Sequence, residues 1–322
     1  MRKHFRTYCL LAVAVVAVAL LSVSCIKDND PAVGGKASVT MTFTTRVSDN
    51  VTAENLLDKE QMRKLRVIVA RSGTNDIIYN VSYDIQPGEK QKVIHFSELT
   101  VNKDGENFDF YAIANEDAFL TGGESLEGLS ALKSHILIED FNNPALSLIP
   151  QAAFKTIPVG PSEKTSSTMN LLFPLAKVVL NFDNQTGESV DLTDVAISGI
   201  ANQGYLFKDI YTNSYPQGTA GSGTVKFGNE GTLQVPVGEV ADASPYIRYL
   251  YPWTSGNAYK LTATWGSKTH EVVFKIGDEE LKELKAGQQL NVNVTLLVNK
   301  QVTIDWQVFD WKRVTNDVPS FN

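Results

Sequence analysis

Cysteine is nearly absent: the 322 residues contain two, Cys9 and Cys25. Loss of residues 1–24 would leave Cys25 as the sole thiol, which excludes an intrachain disulfide and any paired-cysteine metal or redox site. Histidine is almost as scarce. His95, His135 and His270 lie far apart in the chain, without metal-ligand spacing, and there is no His-Glu-x-x-His pair and no Gly-x-Ser-x-Gly elbow. Basic residues are outnumbered, 29 Lys and Arg against 36 Asp and Glu, for a formal charge of −7. That becomes −10 once Arg2, Lys3 and Arg6 depart with residues 1–24, a balance that argues against a nucleic-acid-binding surface. Beyond the N-terminal segment no apolar run is long enough to cross a bilayer. Gly218 to Gly223 (GTAGSG) lacks the Gly-Lys-Ser/Thr ending of a phosphate loop and reads as a hairpin tip. Asp278, Glu279, Glu280 and Glu283 are the one acidic group that invites an acid/base reading, and a solvated helix face or turn explains them equally well. The expectation is a protein without catalytic machinery, metal or cofactor.

What is present begins at the N-terminus. Arg2, Lys3 and Arg6 precede an apolar stretch from Leu10 to Val23, the layout of an export signal. Ser22-Val23-Ser24 ahead of Cys25 resembles a bacterial lipobox, so Cys25 is the expected lipidation site; acyl chains contribute roughly 0.8 kcal/mol per buried methylene. Lys27, Asp28 and Asp30 form a short charged patch like the tag that sends lipoproteins of some anaerobic Gram-negative bacteria to the outer face of the outer membrane. The chain thus divides into a signal peptide (1–24), a flexible leader (25–36), and the remainder.

The remainder reads as strands. Ser38-Val39-Thr40-Met41-Thr42-Phe43-Thr44 alternates strictly, with Val39, Met41 and Phe43 on one face, and the strand ends at Arg46 ahead of a polar linker. Leu65 to Ala70, Ile77 to Ile85, Val93 to Phe96 and Phe108 to Ala114 continue the pattern. Leu56 to Lys64 and Leu126 to Leu132 are expected to form short helices, and Pro158 to Thr168 a punctuated polar stretch. A new strand series opens with Phe173 to Phe182, which places a domain boundary near Asn170 and domains at 37–170 and 171–322. Gly266-Ser267 and Asn299-Lys300 each turn a hairpin; the second joins Leu290 to Val298 with Val302, Ile304, Trp306 and Val308. Repeated short strands with few helices predict an all-β chain of β-sandwiches.

The start at Cys25, the strand Ala37 to Thr45 ending at Arg46, and the segments Leu65 to Ala70, Phe108 to Glu116, Leu175 to Leu180 and Leu284 to Leu296 together resemble the fimbrillin family, the subunits of type V pili. The resemblance implies two tandem transthyretin-like Greek-key sandwiches and export as a surface lipoprotein of the outer membrane. It further implies cleavage between Arg46 and Val47 by an arginine-specific protease, which removes the strand bearing Val39, Met41 and Phe43. Polymers with other pilin subunits, of one kind or several, would then grow by donor-strand exchange. The expected donor lies within 300–311, with Val302, Ile304, Trp306 and Val308 as plugs. A non-cleaved anchor subunit is the alternative within the family. From a different class, a glycan-binding surface lipoprotein would use Trp253, Trp265, Trp306 and Trp311 as stacking platforms, and a host or glycan receptor fits either reading.

Overall fold

The computed structural model describes residues 34–48, 51–52, 56–119, 128–138, 140–142, 148–208, 223–238, 246–254 and 258–310, with backbone alone at 46–48, 51–52, 253–254 and 309–310. The expected signal peptide, Cys25 and Trp311 lie outside the described residues. Among those described no helix is long and apolar enough to cross a membrane.

The chain is nearly all β. The principal strands are β1 (Lys36–Ser48), β2 (Lys64–Arg71), β3 (Ile77–Asp84), β4 (Gln91–Thr100), β5 (Glu106–Ala114), β6 (Gln151–Val159), β7 (Lys164–Leu172) and β8 (Ala176–Asn184). They continue with β9 (Val190–Ile200), β10 (Gly223–Lys226), β11 (Leu233–Val235), β12 (Ile247–Leu250), β13 (Lys260–Trp265), β14 (Lys268–Val273), β15 (Gln288–Leu296) and β16 (Val302–Asp310). One short α-helix, α1 (Leu129–Lys133), lies between β5 and β6.

In the first half, β1 pairs antiparallel with β4 and parallel with β7, while β6, β5, β2 and β3 form a run of antiparallel neighbours. A single bridge, Ala152 to Leu172, joins the two groups at a corner. They close over one apolar core. Into it point Val39, Met41 and Phe43 of β1, Val67 and Val69 of β2, Phe96 of β4, Phe108 and Phe110 of β5, and Met169 and Leu171 of β7. The second half repeats the scheme. β8 pairs antiparallel with β12 and parallel with β15, and β9 is flanked by β13 and by β10 and β11, with β14 beyond β13. β16 adds one antiparallel strand outside β15.

A third apolar cluster joins the halves. β5 explains why. Phe108, Phe110, Ala112 and Ala114 face the first core, whereas Tyr111 and Ile113 face the junction, where they meet α1, Phe173, Val179 and Tyr249. A strand buried on both faces needs a near-continuous apolar run, and FDFYAIA supplies one. β8 has the same property: Val178 and Leu180 enter the second core, Val179 the junction.

Several local expectations are corrected. Leu56 to Lys64 is a single 3-10 turn over Asp58–Glu60, and Lys64 already begins β2, because Leu65 and Val67 are claimed by the first core. Asp278 to Leu284, expected as a short acidic helix or turn, takes the second form: a turn at Gly277-Asp278 leads into two-residue strands at Glu279–Glu280 and Glu283–Leu284, with Leu281 and Leu284 buried. Residues 164–168 belong to β7, so Asn170 falls within a strand, and the chain leaves the first half only after Leu172. Both expected hairpins form. Gly266 takes the positive φ of +62° that its turn requires, and Lys300 takes +57°.

Asn115 ends β5 in the left-handed conformation, at φ 59°. Its side chain accepts from Arg63 N at 2.9 Å and donates to the carbonyls of Gln61 and Ile149, both at 2.9 Å. Asn115→Ala is therefore expected to lower stability by about 2–4 kcal/mol, read as a shift in the urea midpoint, since one buried and two half-buried backbone groups lose the Asn115 side chain and Cβ strain remains.

Candidate functional site

Strand β1 is central rather than peripheral. Over Lys36 to Thr44 it pairs with β4, and from Ser38 to Arg46 with β7. With strands about 4.8 Å apart, β4 and β7 bound a slot one strand wide. Val39, Met41 and Phe43 have no exposed surface. Their burial is worth roughly 1.5–3 kcal/mol each, and β1 also satisfies a row of backbone groups on both neighbours. Taken away, it would leave two open strand edges and an uncovered core.

The C-terminal end of β1 differs from the sequence expectation. The strand does not stop at Arg46 but runs to Ser48. Arg46 pairs with Leu172 on one side and with Thr52 on the other, and Ser48 faces Val51. The Arg46–Val47 peptide thus lies in extended backbone inside a short hairpin, the conformation in which proteases bind a chain, but one that must peel from Val51–Thr52 first.

Thr45 is the last inward side chain of β1 that the structure describes, and it opens a buried polar chain. Its hydroxyl donates to Gln151 Oε1 at 2.7 Å, and Gln151 Nε2 donates to the Glu60 carbonyl at 2.9 Å. Glu60 Oε1 then accepts from Lys177 Nζ at 2.6 Å and from the Tyr249 hydroxyl at 2.8 Å, while Oε2 accepts from Leu57 N at 3.0 Å. Glu60 and Lys177 are each 1% exposed and Gln151 is fully buried. Burial lowers the Lys177 ammonium pKa, an effect that Glu60 opposes, and burial beside the Glu60 charge raises the Tyr249 phenol well above its usual value. Lys177 and Tyr249 belong to β8 and β12, so the chain links β1 to the second half of the molecule.

None of these four residues was singled out from the sequence. Lys177 carried a signal: a cation inside the apolar run FPLAKVVLNF either faces solvent or meets a buried partner. Nothing local announced Glu60, Gln151 or Tyr249.

The expected donor strand is built differently. Among the described residues β16 pairs on one side only, with β15, and Val302, Ile304, Trp306 and Val308 are half-buried against the second core. Trp306 Nε1 donates to the Lys275 carbonyl at 2.7 Å, and its ring meets Phe274 edge-on at 5.3 Å. Trp265 is also half-buried against that core; the Trp253 side chain lies outside the described residues. His95 Nδ1 lies 3.0 Å from the Thr40 hydroxyl, His135 packs on Phe119, and His270 sits on β14. Among the described residues no three potential ligands gather as a metal site. Gly218 to Ser222 are outside the description, and Gly223 starts β10.

No family model and no curated protein matches the chain. Solved structures do. The tip fimbrial protein of Porphyromonas gingivalis, with C-terminal truncation, superposes with a TM-score of 0.54 at 12% identity, over 85% of this chain and 100% of that one. A fimbrial assembly protein from Parabacteroides distasonis ATCC 8503 gives 0.51 at 12%, over 85% and 96%. A fimbrilin from Porphyromonas gingivalis W83 gives 0.50 at 11%, over 87% and 98%. Across nearly its whole described length, this chain has the fold of fimbrial proteins.

Proposed function

We propose that the chain is a structural subunit of a pilus that serves cell adhesion, exported as a lipoprotein through Cys25 to the outer membrane surface. On this reading the pairing scheme β4-β1-β7 over β6-β5-β2-β3, repeated as β12-β8-β15 over β10/β11-β9-β13-β14, is that of two tandem transthyretin-like sandwiches, which meet in the short connection between β7 and β8. An arginine-specific protease cuts between Arg46 and Val47, β1 leaves, and a strand from another pilin subunit fills the slot.

The observation that carries the reading is the position of β1. A strand paired on both sides, with its inward apolar face fully buried and a lone arginine in extended backbone near one end, can serve as a removable plug. β16 supports the other half of the exchange. An edge strand with one half-buried apolar face can be withdrawn and donated without uncovering its own core entirely.

Arg46→Ala tests it. The expected result is a surface form at precursor length and loss of polymers, against wild-type protein with an N-terminus at Val47. An acylated Cys25 on the wild-type surface form would mark a non-cleaved anchor subunit, and polymers assembled from Arg46→Ala would overturn the maturation step.

A further inference from the structure

The slot is not uniformly apolar. Along β1 the inward positions are Ala37, Val39, Met41, Phe43 and Thr45, four apolar residues followed by a hydroxyl. The fifth position is read by Gln151, whose amide is committed on both sides: Oε1 accepts from Thr45 and Nε2 donates to the Glu60 carbonyl. Whatever strand occupies the slot must offer a donor to Oε1. Turning the amide over to meet an acceptor would set its oxygen against the Glu60 carbonyl oxygen. Charge makes the same demand. Glu60 and Lys177 already neutralise one another in this cluster, with the Tyr249 hydroxyl on the same Glu60 oxygen. A further carboxylate would stand buried and unpaired.

The chain's own C-terminal strand has the same spacing. Val302, Ile304, Trp306 and Val308 alternate, and two residues on comes Asp310. Entering in the direction and register of β1, these five fall on Ala37, Val39, Met41, Phe43 and Thr45, so an aspartate, ionised at neutral pH, meets Gln151 Oε1. Resting on the donor-strand reading above, we infer that Gln151 is a specificity-determining residue. It admits strands with a hydrogen-bond donor at the fifth inward position and rejects a carboxylate there. The slot is thereby closed to a second copy of this chain and built for the strand of a different subunit, which makes growth through it heterotypic.

The test uses the full chain treated with an arginine-specific protease and labelled synthetic strands. Residues 36–46 should be captured about tenfold or more tightly than the same strand carrying Thr45→Asp, and residues 300–310 carrying Asp310→Thr about tenfold or more tightly than native 300–310. Equal capture within either pair overturns the inference. If neither version of 300–310 is captured while the 36–46 pair discriminates, the selectivity of the slot stands and the assignment of the C-terminal strand as donor falls. If the protease does not open the slot, the intact chain decides. Thr45→Asp should unfold at lower urea than Thr45→Ser, or fail to fold where Thr45→Ser folds, and equal midpoints overturn the proposal.

Discussion

Glu60→Ala is expected to lower the unfolding free energy by about 3–5 kcal/mol, because it takes the Glu60 carboxylate away from the Lys177 ammonium in a site with almost no solvent. Three groups lose the Glu60 carboxylate as an acceptor at once: Lys177 Nζ, the Tyr249 hydroxyl and Leu57 N. Lys177→Ala should be costly for the mirror reason, leaving the carboxylate buried with only neutral donors. The double variant Glu60→Leu/Lys177→Met removes both charges and should recover much of the loss, since two desolvated ions are replaced by apolar volume. Urea denaturation followed by circular dichroism measures all three. A Glu60→Ala midpoint within error of wild type would show that the pair does not hold the two halves together.

The second large effect separates plug from donor. Phe43→Ala should cost about 3–5 kcal/mol, as a fully buried ring is deleted from between β4 and β7 and the cavity cannot collapse against strands fixed on both sides. Val308→Ala, on a half-buried edge strand, should cost about 1 kcal/mol. The same contrast applies to whole strands. A chain ending at Gln301 should remain folded with a modestly lower midpoint, because β15 becomes the edge and the order β12-β8-β15 is untouched. A chain lacking 36–46, with nothing in the slot, should lose cooperative unfolding in its first half, detected as fast amide exchange across β4 and β7. Equal costs for Phe43→Ala and Val308→Ala would remove the asymmetry on which plug and donor roles rest.

Much of this architecture is written in local patterns. Alternation with a period of two specifies Ser38 to Thr44 and Leu290 to Val308 as strands and assigns each side chain its face. Gly266 turns its hairpin at a positive φ that glycine tolerates, and in the Asn299-Lys300 turn Lys300 takes one. Scarcity of cysteine and histidine, with acidic charge, narrowed the chemistry before any fold was known. Pairing partners were not legible. That β1 lies parallel to β7, more than a hundred residues later, follows from which apolar faces close over a common core, and alternation is silent on that choice. Leu56 to Lys64 has helical periodicity, yet packing claimed Leu65 and Val67 for a strand and left one 3-10 turn. The extension of β1 past Arg46 to Ser48 likewise depends on Val51–Thr52 and Leu172, which the local sequence does not reveal. The sequence by itself determined the candidate plug, its apolar face and the lone arginine that follows that face. Only the tertiary structure decided that β1 is a central strand, and that a buried polar chain through Gln151 and Glu60 ties its fifth inward position to Lys177 and Tyr249. The reason is physical: hydrogen bonds between residues 106 and 189 positions apart exist only once the sheets have packed and water has been excluded from between them.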